Sequence, residues 1–275
     1  MNSLPRKSLV AIVTVVAAGA LALLAGCAGW GGSAGGETLE GRRILVAGGS
    51  GRAGLYVLRQ LKAQGLSFRA MTRDIAEART RLGTDAEGVD WVAADVRDPT
   101  QVEAAMRDVD FVISVIGSKE ISGPNSAEFV DYGGVRHLVD AAVGHNVRHF
   151  TLLTAIGSSD KESAANKLFK GALEWRFKGE EYLRGSGLSY TVVRPAGLTN
   201  EPAGKTGVRL YQGDDWKSHL RQTISRADLA LVLIETLRNR KARNTTFEIA
   251  NDAWEPAGTW LDQMAALKAD ANSDL

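Results

Sequence analysis

The chain has 275 residues, a formal net charge of +1 and 44% hydrophobic residues, enough apolar material for one large core or two small ones. The near-neutral balance leaves no basic footprint for nucleic acid. One cysteine, Cys27, excludes an internal disulfide framework, and His137, His145, His149 and His219 keep no metal-ligand spacing.

The N-terminus reads MNSLPRKSLVAIVTVVAAGALALLAGCAGWGG. Arg6 and Lys7 form a basic head, 9–25 is apolar apart from Thr14 and Gly19, and small residues precede a cut site. These are the three parts of an export signal. Leu24-Ala25-Gly26-Cys27 resembles the lipobox of bacterial lipoproteins. The resemblance implies cleavage before Cys27, a diacylglycerol on its thiol and an acylated new amino terminus. Acyl chains, at about 0.8 kcal/mol per buried methylene, make a stable anchor. The alternative is an uncleaved short membrane helix; in both readings the basic head stays inside and the rest is exported. The expected division is a signal at 1–26, a Gly/Ser/Ala tether at 27–41 and a globular domain at 42–275. Ala28, by resemblance to enterobacterial sorting, points to the outer membrane in a cell that has one.

Strands are predicted over 43–47, 67–72, 89–93, 109–115, 149–154, 189–194 and 245–250. Helices are predicted over 54–64, 75–82, 100–107, 127–145, 167–185, 226–239 and 259–268. This alternation describes an α/β fold, a doubly wound parallel sheet covered on both faces. Strands such as FVISVI read as near-continuous apolar runs, as strands buried on both sides should.

Between the first strand and first helix lies GGSGRAG, which contains Gly48, Gly49, Ser50, Gly51, Arg52, Ala53 and Gly54. It satisfies both G-x-G-x-x-G and G-x-x-G-x-x-G. The first glycines permit a tight turn and close approach of a pyrophosphate, and the last lets helix pack on strand. The helix N-terminus adds unpaired N–H groups and the positive end of its dipole. The second predicted strand ends in MTRD. An NAD site usually places Asp or Glu there; Arg73, with Arg52 in the turn, instead suits the 2′-phosphate of NADP, NAD being the alternative cofactor.

The segments ILVAGGSGRAG, AMTRD, VAADVRDP, FVISVIGS, VDYGGVRHLVDAA, HFTLLTAIGSS, KGEEYLRGSGLSYTVVRPAGLTNEP and ISRADLALVLIETL occur in the order found in atypical short-chain dehydrogenase/reductases, the NmrA-like NAD(P)-binding Rossmann proteins. The resemblance spans 42–250. It implies a sheet ordered 3-2-1-4-5-6-7 with a small substrate-side loop region. It also implies that Asp95 and Val96 lie against the adenine, and that Ser114, Val115, Ile116 and Gly117 border the ribose and nicotinamide. Lys178 would reach the nicotinamide ribose, and Pro195, Ala196, Gly197 and Leu198 would flank the nicotinamide.

Reductases of this superfamily use Ser, Tyr and Lys, with Tyr four residues before Lys on one helix face. Four residues before Lys178 stands Glu174, and Ala155 stands where the Ser is expected. Thr154, Ser158 and Ser159 are substitutes for that Ser; Glu174 becomes a proton donor if burial raises its pKa. Tyr182 reads as packing on the sheet. Trp216 and His219 are possible pocket residues, and Arg226 and Asp228 read as a structural pair. Two function classes follow. One is an NADPH-dependent oxidoreductase on a small carbonyl or quinone-like substrate. The other is a membrane-anchored, non-catalytic dinucleotide-binding sensor, scaffold or assembly factor. Export adds a third reading, a pocket that holds some other nucleotide or nothing soluble.

Overall fold

The computed structural model describes residues 36–160, 162, 166–167, 170–214, 217 and 221–271. Cys27, Trp216 and His219 lie outside them. Among the described residues no helix is long and apolar enough to cross a membrane.

Strands β1 (Ile44–Ala47), β2 (Phe68–Thr72), β3 (Asp90–Ala93), β4 (Phe111–Ser114), β5 (His149–Leu153) and β6 (Tyr190–Pro195) form a parallel sheet in the order 3-2-1-4-5-6. Three short strands follow: β7 (Gly197–Thr199), β8 (Gly207–Tyr211) and β9 (Thr223–Ser225). The last strand, β10 (Thr245–Asp252), pairs parallel with β6 and so takes the seventh place expected of it; β8 adds an antiparallel edge beyond it. The expected substrate-side loop region contains a separate parallel pair, β7 with β9.

The helices are α1 (Arg52–Ala63), α2 (Ile75–Leu82), α3 (Pro99–Ala105), α4 (Val135–Gly144), α5 (Ala172–Arg184), α6 (Arg226–Arg238) and α7 (Trp260–Ala265). Alternation along β1 sorts the core. Ile44 and Val46 face α1 and α6, with Val57, Leu58, Leu61, Leu229 and Leu233, whereas Leu45 and Ala47 face α3, α4 and α5, with Val102, Leu138 and Leu183. The helix predicted over 127–145 is two pieces, a π-helical turn (Glu128–Gly134) running into α4. The wider turn is compatible with close packing, because a Cβ on Gly134 would stand 2.7 Å from Val96 Cγ2 and one on Gly179 of α5 2.8 Å from the Asp131 carbonyl.

The folded body begins before residue 42, correcting the expected tether boundary. Leu39 is buried in the core, Glu37 N–H donates to the Arg238 carbonyl at 2.8 Å, and the Glu37 carboxylate accepts from Arg148 and Arg243.

Candidate functional site

In register, Ala47 stands beside Met71 and Ser114, and Thr72 beside Ala93. The glycine turn, Arg73, Asp95 and the residues after β4 therefore emerge along one carboxyl edge, the place where open α/β sheets bind ligands.

Two glycines of the turn leave no room for a side chain. Gly48 has φ +83°, and a Cβ there would lie 3.0 Å from the Val115 carbonyl; on Gly54 it would lie 2.3 Å from the Gly48 carbonyl. Gly51 caps α1 without a side-chain hydrogen bond, and no acidic residue occupies the first helical turn. The helix thus offers its positive end and backbone donors unshielded. Beside it, the fully buried Ser114 Oγ has no hydrogen-bond partner among the described residues. Buried polar atoms are nearly always paired, so an orphan next to a glycine cradle fits a polar ligand such as a dinucleotide.

The adenosine end is framed by arginines. Arg73 is exposed and donates to Asn125 Oδ1 at 3.2 Å. Arg81, on α2, donates to the Ser50 carbonyl, a contact that the sequence reading missed. Ser50 Oγ meets Thr72 Oγ1 at 2.9 Å, tying the turn to β2. Asp95 is gripped by Arg97, whose Nη2 and Nε lie 2.5 and 2.9 Å from it, and that guanidinium holds its carboxyl below the usual range. Asp95 therefore has a turn role whatever it does toward an adenine. Val96 is buried against Gly134, and its carbonyl meets His137 Nδ1 at 2.8 Å.

On the nicotinamide side, α5 brings Arg176 beside Gly117. Arg176 Nη2 lies 3.3 Å from where a Cβ on Gly117 would stand, and Arg176 Nε pairs with Asp131 Oδ1 at 2.8 Å. The other oxygen of Asp131 accepts the Ser118 N–H at 2.8 Å. Burial pushes the Asp131 carboxyl up, and Arg176 offsets part of that rise. Lys178 lies two residues further around the helix. Its Nζ is 3.2 Å from Glu174 and 3.9 Å from the centre of the Trp175 ring. Pro195, Ala196, Gly197 and Leu198 run from β6 into β7, where Ala196 N–H donates to the Ile249 carbonyl and Gly197 N–H to the Gln222 carbonyl.

Four polar groups, Glu174, Thr154, Ser158 and Tyr182, are engaged elsewhere. Glu174 is 35% exposed and ion-paired with Lys178, not dry. Thr154 and Ser158 both donate to Glu180 Oε1, at 2.7 and 2.9 Å. The Tyr182 hydroxyl donates to Asp140 at 2.6 Å, so the ring packs at the α4–α5 side with its hydroxyl outward. Arg226 and Asp228 do not pair. Arg226 donates to the Thr199 carbonyl and Asn200, while Asp228 caps its own helix through Ser225 and accepts the Gly204 N–H.

Comparison with known proteins agrees with this geometry. The profile of the NAD(P)H-binding family matches residues 48–240. The chloroplast protein TIC 62 of Pisum sativum is 32% identical over 183 residues, covering 59% of this chain; the chain spans 34% of that protein's length. Sanguinarine reductase of Eschscholzia californica is 26% identical over 76% of this chain and 88% of its own. Among solved structures, a putative NAD-dependent epimerase/dehydratase from Bacillus halodurans superposes with a TM-score of 0.69 at 25% identity, over 81% of this chain and 99% of its own. The match spans the glycine cradle, the arginine-framed edge and helix α5, and the chain belongs to the NAD(P)H-binding family.

Proposed function

We propose that the protein is an NADPH-dependent reductase acting on a quinone-like substrate. The observation that carries the reading is the glycine cradle from Gly48 to Gly54, opening on an uncapped α1 beside the orphaned Ser114 Oγ. A reduced nicotinamide bound at this edge supplies a hydride. Gly48, Gly49, Gly51 and the α1 N-terminus hold its pyrophosphate, Arg73 favours a 2′-phosphate, and Ser114 through Gly117 border the nicotinamide ribose. Asp95 and Val96 stay assigned to the adenine, and Pro195 through Leu198 to the nicotinamide.

The substrate class follows from the engaged donors. Thr154, Ser158 and Tyr182 each give their proton to a carboxylate, and Glu174 is ion-paired. Reduction of a simple ketone needs an acid in place to protonate an alkoxide. A reduced quinone carries a delocalised phenolate that takes its proton from water. The reductase activity named for the Eschscholzia californica relative supports the reaction class. The export reading adds a lipid anchor at Cys27 and a site on the extracytoplasmic face; mass spectrometry of the mature N-terminus tests it, and an unmodified Met1 would refute it.

Steady-state NADPH oxidation over a panel of quinones and aliphatic ketones tests the reaction. Turnover is expected with quinones and not with ketones. Micromolar binding without turnover on either class would replace the enzyme by a dinucleotide sensor or scaffold.

A further inference from the structure

α1 and α6 pack side by side, and both run back against the parallel strands, so their N-termini meet at the carboxyl edge of the sheet. Each opens with an arginine: Arg52 is the first residue of α1 and Arg226 the first of α6. A cation at a helix N-terminus has the wrong sign for the helix dipole. Nothing local offsets it in α1, which has no acidic residue in its first turn. In α6, Asp228 is turned into the cap: its carboxylate takes Ser225 Oγ at 2.7 Å, Gly204 N–H at 2.8 Å and Asn251 Nδ2 at 3.3 Å.

Because α1 and α6 pack side by side, both arginines open helices at the same edge. Burial, and then the charge of Arg52, pulls Arg226 below the usual arginine range. Arg226 Nη1 donates to the Thr199 carbonyl at 3.0 Å and Asn200 Oδ1 at 2.7 Å, while its Nε is buried with no partner among the described residues. Among the described residues neither arginine forms an ion pair with a carboxylate. Two cations at adjacent helix starts, one with an orphaned donor, lack a counter-charge beside a glycine turn. Guanidinium groups meet phosphate oxygens through paired hydrogen bonds.

We infer that Arg52 and Arg226 form a two-guanidinium grip on the pyrophosphate of the dinucleotide, and that Arg226 couples this grip to strand β7 through Thr199. The inference rests on the dinucleotide reading above and assigns Arg226 a binding role that its family motif, read as structural, does not. It also moves Arg52 from the 2′-phosphate to the pyrophosphate, leaving the 2′-phosphate to Arg73 at the end of β2.

Calorimetric titration of the full chain with two ligands separates the phosphate positions. ADP-ribose carries the pyrophosphate without a 2′-phosphate, and adenosine 2′-monophosphate carries the reverse. Arg226→Gln is expected to weaken ADP-ribose by about tenfold and leave adenosine 2′-monophosphate within about twofold. Arg52→Gln, at an exposed position that the fold does not need, is expected to act in the same direction, and Arg226→Lys to lose less than Arg226→Gln. Unchanged ADP-ribose affinity in Arg52→Gln and Arg226→Gln, or equal losses for both ligands, would overturn the grip and leave the dinucleotide reading standing. A wild-type chain that binds neither ligand would overturn both.

Discussion

Glu180 on α5 and Arg194 on β6 form a buried ion pair, with Arg194 Nη2 2.6 Å from Glu180 Oε2 and Nε 3.2 Å from both carboxylate oxygens. Arg184, Thr154 and Ser158 supply the remaining donors, and Arg194 Nη1 reaches on to Asp214 at 2.9 Å. The pair joins the helix that carries Arg176 to the strand that leads into Pro195, so it sets the spacing of the nicotinamide side.

Breaking this pair by Glu180→Gln is expected to destabilise the protein by about 3–5 kcal/mol, because a buried guanidinium loses its counter-charge. Burial alone would raise the Glu180 pKa, but Arg194, Arg184 and Thr154 outweigh it and hold it below the usual value. The pair's stabilisation is therefore complete above the unfolded carboxylate pKa of about 4.3 and is lost as pH falls from there through the folded value. Urea unfolding at descending pH should show this acid loss in the wild type and a smaller loss in Glu180→Gln.

His149 gives a second, separable pH dependence. It is fully buried, with Nδ1 2.9 Å from Ser189 Oγ and Nε2 2.9 Å from Thr191 Oγ1. Burial, then the nearby Arg243, pushes its pKa down to about 3 from 6.5. The unfolded chain takes up the proton first as pH falls. Stability from neutral His149 is present above about pH 6.5 and is lost below it, at about 1.4 kcal/mol per unit. Unfolding free energies between pH 6 and 4 should slope less in His149→Gln; an unchanged slope would contradict the assignment.

Arg176 and Lys178 separate the two candidate cations of α5. Arg176→Gln should weaken NADPH binding and, by leaving Asp131 buried with a reduced charge partner, lower stability by about 1–3 kcal/mol. Lys178→Gln removes an exposed pair worth about 0–1 kcal/mol. If Lys178 is the ribose contact, the order of the two affinity losses reverses in a direct titration.

Arg73 should govern the choice between cofactors. Arg73→Ala is expected to raise the NADPH dissociation constant by about tenfold while leaving NADH nearly unchanged, since only the 2′-phosphate is lost to it. Equal losses for both nucleotides, measured by fluorescence titration, would place the 2′-phosphate elsewhere.

The parallel sheet was legible because its strands are apolar runs and each helix between them repeats at its own period. The β1 to α1 turn was legible because only glycine fits at Gly48 and Gly54, and that demand is written in the residue type. β7 and β9 have three residues each, too few to show a period. The π-helical turn at 128–134 shares the apolar continuity of α4 and hides within it. Glu180 stands among several charges in KGEEYLR, and nothing in that run marks it as buried. The missed signal was Arg194, an arginine inside the buried run YTVVRP, which calls for a buried carboxylate to face it. Arg176 beside Gly117 was not legible, because which face of α5 meets that loop depends on the rotation of the helix, which the sequence does not give.

Gly54 tests the central claim most directly. A Cβ there would stand 2.3 Å from the Gly48 carbonyl and 2.7 Å from that of Gly49, both backbone atoms of the cradle itself. Calorimetric titration of NADPH into the wild-type chain and into Gly54→Ala is the decisive comparison. One-to-one binding near micromolar affinity in the wild type, and loss of at least about tenfold in Gly54→Ala while the circular dichroism spectrum stays folded, is the expected result. No NADPH binding in the wild type, or undiminished binding in Gly54→Ala, would contradict the account.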